Sequence, residues 1–286
     1  MFQLWLSLVV LFILPVCAVL GGLVTWWMTR GEDPDDGALV RHFVVSTGMF
    51  VLLSAAVPRT DWFQDRFDPE RLADKALATL PAHAALQKAK PWEWQRLQPQ
   101  LAEAARAQVP IPEILATARV AHLRLARHFL PWAPGSATLR YANALLPALQ
   151  ELQRTDAQAC VRLAWPAAGG PFDVEGRVSA PIARELQLAI AEVLARSDQE
   201  YGAGERFRRE DPASQLVDLG ELQRAYAALR QELEGRHGDI VGKLHTRAIG
   251  TLPPDRACAA TIDLLTRSLQ HSPPMARGLL GNMLRT

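Results

Sequence analysis

The sequence begins with an absence: residues 1–29 contain no lysine, arginine, histidine, aspartate or glutamate. An α-helix rises about 1.5 Å per residue and the hydrocarbon core of a bilayer is about 30 Å thick, so about 20 apolar residues suffice to cross it. A cleavable export signal would carry a basic flank before a shorter apolar run. This segment lacks that flank, and it therefore predicts a retained transmembrane helix over about residues 3–29.

A second apolar stretch covers residues 38–57 and is just long enough to span. The connection 31–37 is rich in glycine, proline and aspartate, which favour turns. We therefore expect a transmembrane helical hairpin over residues 1–57; the alternative is one span followed by a buried or interfacial helix. Tryptophan and arginine suit the headgroup level, and the candidates are Trp5, Trp26, Trp27, Arg41 and Trp62.

The basic residues near the two apolar stretches predict an orientation. The hairpin loop and its margins hold Arg30 and Arg41, whereas four basic residues follow the second stretch: Arg59, Arg66, Arg71 and Lys75. Basic flanks favour the cytoplasmic side. Arginine greatly outnumbers lysine, which is typical of GC-rich bacterial coding. We therefore expect an integral protein of a bacterial inner membrane, with both termini and the bulk of the chain in the cytoplasm.

The sequence also lacks a strong net charge and cysteines at paired spacings. Without the first 57 residues the chain has 29 basic and 26 acidic groups, too even a balance for nucleic-acid binding. Three cysteines with no paired spacing argue against a disulfide framework. Cys160 and Cys258 could pair if geometry allowed, but we expect two separate buried thiols.

Residues 58–286 show helical periodicity and no alternating strand pattern, which predicts an all-α fold with a helical bundle after the membrane anchor. Ser179 and Asp255 are expected to cap helix starts, and Gly235 is expected to cap a helix end. The predicted helices cover residues 69–80, 92–107, 111–130, 137–154, 156–165, 179–197, 214–234, 255–271 and 275–284.

One helix carries a regular apolar seam. Its members follow one another at intervals of three, four, three and four: Leu219, Leu222, Tyr226, Leu229 and Leu233. Such a seam needs an apolar partner. We expect that partner to be the rest of the bundle; otherwise the seam is the candidate interaction surface with another protein.

The common sequence motifs of catalytic, metal-binding and nucleotide-binding sites are missing. The sequence has no G-x-S-x-G, H-E-x-x-H, paired C-x-x-C or Walker motif, so no catalytic, cofactor-binding or metal-ligating residue is assigned. His122 falls on the apolar side of its helix and is expected to be a core histidine with satisfied nitrogens. The enzyme hypothesis therefore has little support in the sequence.

These observations favour a membrane-anchored helical protein that acts by protein–protein interaction, as an accessory subunit of an envelope complex or an immunity-type protein. Its expected partners are the lipid bilayer and another membrane or cytoplasmic protein, with no nucleic acid and no cofactor. Two alternatives stay open. The chain could be a membrane-associated enzyme acting on lipid or peptide through an unrecognised active site, or a component of a transport system.

Overall fold

The computed structural model describes residues 16–27 except 18, residue 30, residues 40–49 except 42, residue 52, and residues 68–165, 172–197 and 211–283 except 245. Every regular element within these ranges is a helix, which confirms the all-α prediction for them. The chain divides into two compact units, residues 1–72 and 73–286. The domain boundary predicted after residue 57 lies outside the described residues.

In the first unit, helical residues 16–27 and 40–49 contact each other through small and polar groups. The Thr25 hydroxyl donates to the Gly21 carbonyl at 2.8 Å, and the Ser46 hydroxyl lies 3.2 Å from Thr25 Oγ1. Large apolar side chains are exposed instead: Val16, Val19, Leu23, Trp26, Trp27, Val40, Phe43, Val44, Val45, Met49 and Leu52. This is the reverse of a helix pair that buries its apolar stripe against a core.

None of the helices in the described ranges is both long and apolar enough to cross a bilayer, so the transmembrane hairpin is not established by the structure. Among the expected interface residues, Trp26, Trp27 and Arg41 are exposed. The guanidinium of Arg30 lies 5.0 Å from the ring centroid of Trp26. Trp5, Trp62 and the 31–37 connection lie outside the described residues.

Most of the described helices belong to the second unit. Proline is the first residue of several of them, and it costs no hydrogen bond there because an N–H at that position has no acceptor within the helix. The helices are α1 Pro69–Ala78, α2 Pro81–Ala89, α3 Pro91–Arg106, α4 Ile111–Phe129, α5 Gly135–Thr155, α6 Ala157–Ala164, α7 Ala180–Arg196, α8 Leu219–His237, α9 Ile240–Lys243, α10 Pro254–Leu269 and α11 Pro273–Met283. Short 3₁₀ turns cover Leu130–Trp132, Pro212–Ser214 and Arg247–Thr251.

Of the three predicted caps, Ser179 occupies the predicted N-cap position of α7, whereas Gly235 and Asp255 lie inside their helices. The Ser179 side chain makes no cap bond to α7; its hydroxyl donates to Glu151 at 3.0 Å. Helix α8 continues through Gly235 and ends at Gly238, whose φ of +68° is in the left-handed region that glycine tolerates. Asp255 lies inside the first turn of α10 instead of preceding it.

Helix α5 is the centre of the second unit, since it contacts α6, α7, α10 and α11. Tyr141, Leu145, Leu149 and Leu152 are all fully buried along it. Buried residues from α1 to α11 join one continuous hydrophobic core. The core side chains are mainly leucine and alanine, and the small alanines allow the helices to approach closely.

Cys160 of α6 and Cys258 of α10 form a disulfide, so the expectation of two separate thiols is wrong. Packing of α6 on α10 brings their Cα atoms to 5.8 Å, inside the range of about 4.4–6.8 Å that a disulfide requires. Cys17 is buried and is not part of this disulfide.

Candidate functional site

The α8 seam passes from the core to the surface along its length. Leu233 and Leu229 are buried, with 1% and 5% of their surface exposed, whereas Tyr226 and Leu222 are half-buried against the core. Leu219, at the helix start, is 68% exposed. The C-terminal half of the seam therefore packs in the bundle, and its N-terminal end does not.

A groove of about 290 Å³ lies at this N-terminal end, and we call it the 216–222 groove. Its wall is largely apolar, and Leu216 on its rim is 76% exposed. The lining residues are Leu130, Pro131, Thr138, Gln215, Leu216, Val217, Leu222, Pro274, Arg277, Gly278 and Gly281.

Gly278 allows α8 and α11 to approach each other at the groove. A Cβ at this position would lie only 2.8 Å from Leu222 Cδ1, closer than van der Waals contact permits. The absence of a side chain at Gly278 therefore sets the position of Leu222 in the groove wall.

The Pro212–Ser214 turn, just before the groove, is fixed to the start of α5. The buried carboxylate of Asp211 accepts hydrogen bonds from the Ser136 N–H at 3.1 Å and the Ser136 hydroxyl at 2.9 Å. The Gly135 N–H donates to Ser214 Oγ at 2.8 Å. These contacts satisfy two of the unpaired N–H groups at the start of a helix. They hold the segment that leads into Leu216.

Burial and hydrogen bonding shift the pKa of the Asp211 carboxyl in opposite directions. Burial raises its pKa, but hydrogen bonds from Ser136, Ser214 and Ala213 stabilise the anion and together hold the pKa below its usual value. Asp211 is therefore ionised at neutral pH, when it fixes the turn.

A second groove of about 230 Å³ follows the seam towards its C-terminal half. It is lined by Tyr226, Leu229, Arg230, Leu233, Val241, Gly242 and Leu264. Among the described residues, Arg230 is the one charged side chain that lines it, and Arg277 is the one that lines the 216–222 groove. Arg230 pairs with Glu234 at 2.7 Å, and Arg277 donates to the Ser214 carbonyl at 3.4 Å. Both grooves therefore have largely apolar walls, and the arginine of each already has a partner.

The buried histidines form a separate cluster. The rings of His83 and His122 have centroids 5.5 Å apart, and the Trp94 ring packs edge-on against His83. Neither nitrogen of His122 finds a hydrogen-bond partner within the described residues, so the expectation of a satisfied core histidine is wrong in that respect. Burial, with the nearby charges of His83 and Arg119, lowers the pKa of His122 to about 3.

Neither histidine ring lines either of the two grooves above or a third groove between α3 and α4. The third groove, of about 320 Å³, contains Glu93, Arg96, Arg124 and His128, and its Glu93–Arg96 ion pair spans 3.7 Å. No group of three metal-capable side chains occurs within the described ranges.

Sequence reasoning identified the seam but did not identify the groove at its exposed end. Leu222 is the only seam residue that lines the 216–222 groove. Leu216, Gly278 and Arg277 come from the preceding loop and from α11, and no local pattern connects them. Comparisons with protein-family models, curated protein sequences and solved structures find no match for this chain.

Proposed function

We propose that this chain is a membrane-anchored helical protein that acts by binding another protein at the 216–222 groove. The observation that carries the proposal is the exposure of Leu216 and Leu219 beside an apolar concave surface. Burying a leucine contributes about 1.5–3 kcal/mol. Two exposed leucines next to a groove therefore form a small hot spot that a partner can cover.

The lining of the groove favours an apolar protein side chain over a small-molecule substrate, because most of its wall is apolar. Small-molecule sites typically contain several convergent polar groups. Among the described residues, Arg277 is the charged one in the wall of the 216–222 groove. An apolar side chain of a partner protein would match this surface. The enzyme and transport alternatives find no comparable support in the described residues.

The anchor is proposed for residues 1–57. Its support is the uncharged run 1–29 in the sequence and the outward apolar side chains of 16–27 and 40–49. In a bilayer, helices contact one another through small and polar groups because lipid tails solvate the apolar ones. The Gly21, Thr25 and Ser46 contacts are of that kind.

The groove is tested with the variant Leu216→Asp/Leu219→Asp in the full-length chain. A partner recovered in fixed ratio with the wild type should bind the variant at least about tenfold more weakly, because two charges replace the apolar contact. Gln153→Asp, at an exposed site on α5, is the matched control and should bind as the wild type does. Equal affinity of wild type and double variant would contradict the proposal.

The anchor is tested separately by washing membranes with alkaline carbonate and measuring the intact mass of the chain. A permanent anchor leaves the protein in the pellet with its N-terminal segment present. Release into the supernatant, or loss of about 20–30 residues as after signal cleavage, would contradict it.

A further inference from the structure

The Cys160–Cys258 disulfide is enclosed by the fold. Both residues are fully buried, and close by the Trp165 indole N–H donates to Thr261 Oγ1 at 2.9 Å between the same two helices. The cysteines are 98 residues apart in sequence. Once α6 and α10 are packed, neither sulfur is therefore accessible to a protein oxidant.

Closing the bond requires an electron acceptor. The two thiols lose two protons and two electrons as one S–S bond forms. A protein disulfide oxidant can accept them by thiol–disulfide exchange through a mixed disulfide, and it leaves as a dithiol. The cytosol keeps protein thiols reduced, whereas the bacterial periplasm supplies such oxidants.

We propose that residues 73–286 fold and act on the periplasmic side of the membrane, where a protein disulfide oxidant closes Cys160 to Cys258. This side is opposite to the one predicted from the basic residues. That prediction depends on four basic residues against two, and large domains are translocated largely regardless of charge. A buried disulfide between distant helices is the stronger indication, because it requires a specific chemical environment.

The inference does not depend on the 216–222 groove, although it places any partner of that groove outside the cytoplasm. The groove variants therefore test only the proposed binding site, and the two experiments below test only the side of the membrane on which residues 73–286 lie.

The first experiment counts thiols in the full-length chain. Cells are quenched in acid, and the protein is denatured and labelled with a polyethylene-glycol maleimide. We expect one adduct without reduction, at Cys17, and three after reduction. The variant Cys17→Ala should give no adduct without reduction and two adducts after reduction. In a host that lacks its periplasmic thiol oxidase, the unreduced wild type should shift towards three adducts. Three adducts without reduction in the normal host would overturn the proposal.

The second experiment determines the side directly. Alkaline phosphatase, which is active only when its own disulfides form, is fused after Thr286 of the full-length chain, and a green fluorescent protein is fused there in parallel. The proposal expects phosphatase activity without fluorescence. Fluorescence without phosphatase activity would place the domain in the cytoplasm and overturn the proposal even if some disulfide were found.

Discussion

The indole N–H of Trp165 donates to the hydroxyl of Thr261 at 2.9 Å across the α6–α10 interface, and both side chains are buried. The Thr261 hydroxyl donates in turn to the Ala257 carbonyl at 2.7 Å. Together with the Cys160–Cys258 bond, this contact joins α6 to a helix almost one hundred residues later in the chain.

Thr261→Val should therefore destabilise the fold, because it removes the hydroxyl that accepts the hydrogen bond of the buried Trp165 N–H. The expected loss is about 1–3 kcal/mol in the free energy of unfolding. Thr117→Val is the matched control, since Thr117 makes the same hydroxyl-to-carbonyl bond within a helix but is exposed. Denaturant unfolding of the detergent-solubilised chain measures both; equal losses would show that the interhelical bond adds nothing.

Reduction of the disulfide should lower the free energy of unfolding by about 2–5 kcal/mol, because the open chain regains conformational freedom when unfolded. Cys160→Ala/Cys258→Ala should start from the lower stability and show no response to a reductant. Denaturant melts with and without reductant provide the comparison. A double variant that loses stability on reduction would place the sensitivity elsewhere.

The buried His122 should make the protein acid-sensitive. Its pKa is about 3 in the folded chain, below the ordinary value of 6.5, because of burial and the charges of His83 and Arg119. The unfolded chain therefore takes up a proton first as the pH falls below about 6.5. Stability should decline by up to about 1.4 kcal/mol per pH unit towards pH 3 and be fully present above 6.5.

His122→Phe should reduce the slope of the unfolding free energy against pH in this window by up to about 1.4 kcal/mol per pH unit, which corresponds to the uptake of one proton. Leu123→Ala, at a buried site on the same helix, should lower stability equally at every pH and is the control. Denaturant melts at several pH values between 4 and 7 decide the outcome. An unchanged slope in His122→Phe would refute the assignment.

The start of α5 and the end of α8 give a matched pair of glycine substitutions. A Cβ at Gly135 would overlap the Ala213 carbonyl and lie 2.8 Å from the Ser214 nitrogen, so Gly135→Ala should displace the turn held by Asp211. A Cβ at Gly235 meets nothing within 4 Å. Gly235→Ala should stabilise α8 by about 0.5–1 kcal/mol. Thermal melts with the opposite order of stability would contradict this geometry.

Most helix positions could be predicted from the sequence to within a few residues, because apolar spacing and prolines are local signals, but the predicted helix 214–234 is observed as Leu219–His237. The predicted helix 111–130 is observed as Ile111–Phe129, and 179–197 as Ala180–Arg196. Helix α2, Pro81–Ala89, was not predicted, since its short alanine-rich segment lacks a clear apolar stripe. Cap positions were less predictable, because Gly235 and Gly238 offer the same residue type and only the backbone path distinguishes them.

The disulfide and the groove could not be predicted, because both depend on contacts between distant segments. Nothing in the spacing of Cys160 and Cys258 indicates that α6 packs on α10. Leu219 and Leu233 belong to the same periodic pattern, yet one is exposed and the other is in the core. Periodicity identifies the side of a helix that needs a partner, but the tertiary fold decides how far the bundle covers it.

The central claim, that the 216–222 groove binds a protein, is tested most directly by site-specific photo-cross-linking in native membranes. A photoreactive phenylalanine derivative is placed in the full-length chain at Leu219 or, as a control, at the exposed Gln153. The account predicts one discrete protein adduct at Leu219 that is absent at Gln153 and disappears when Leu216→Asp is added. The same adducts at both positions, or no protein adduct at Leu219, would contradict it.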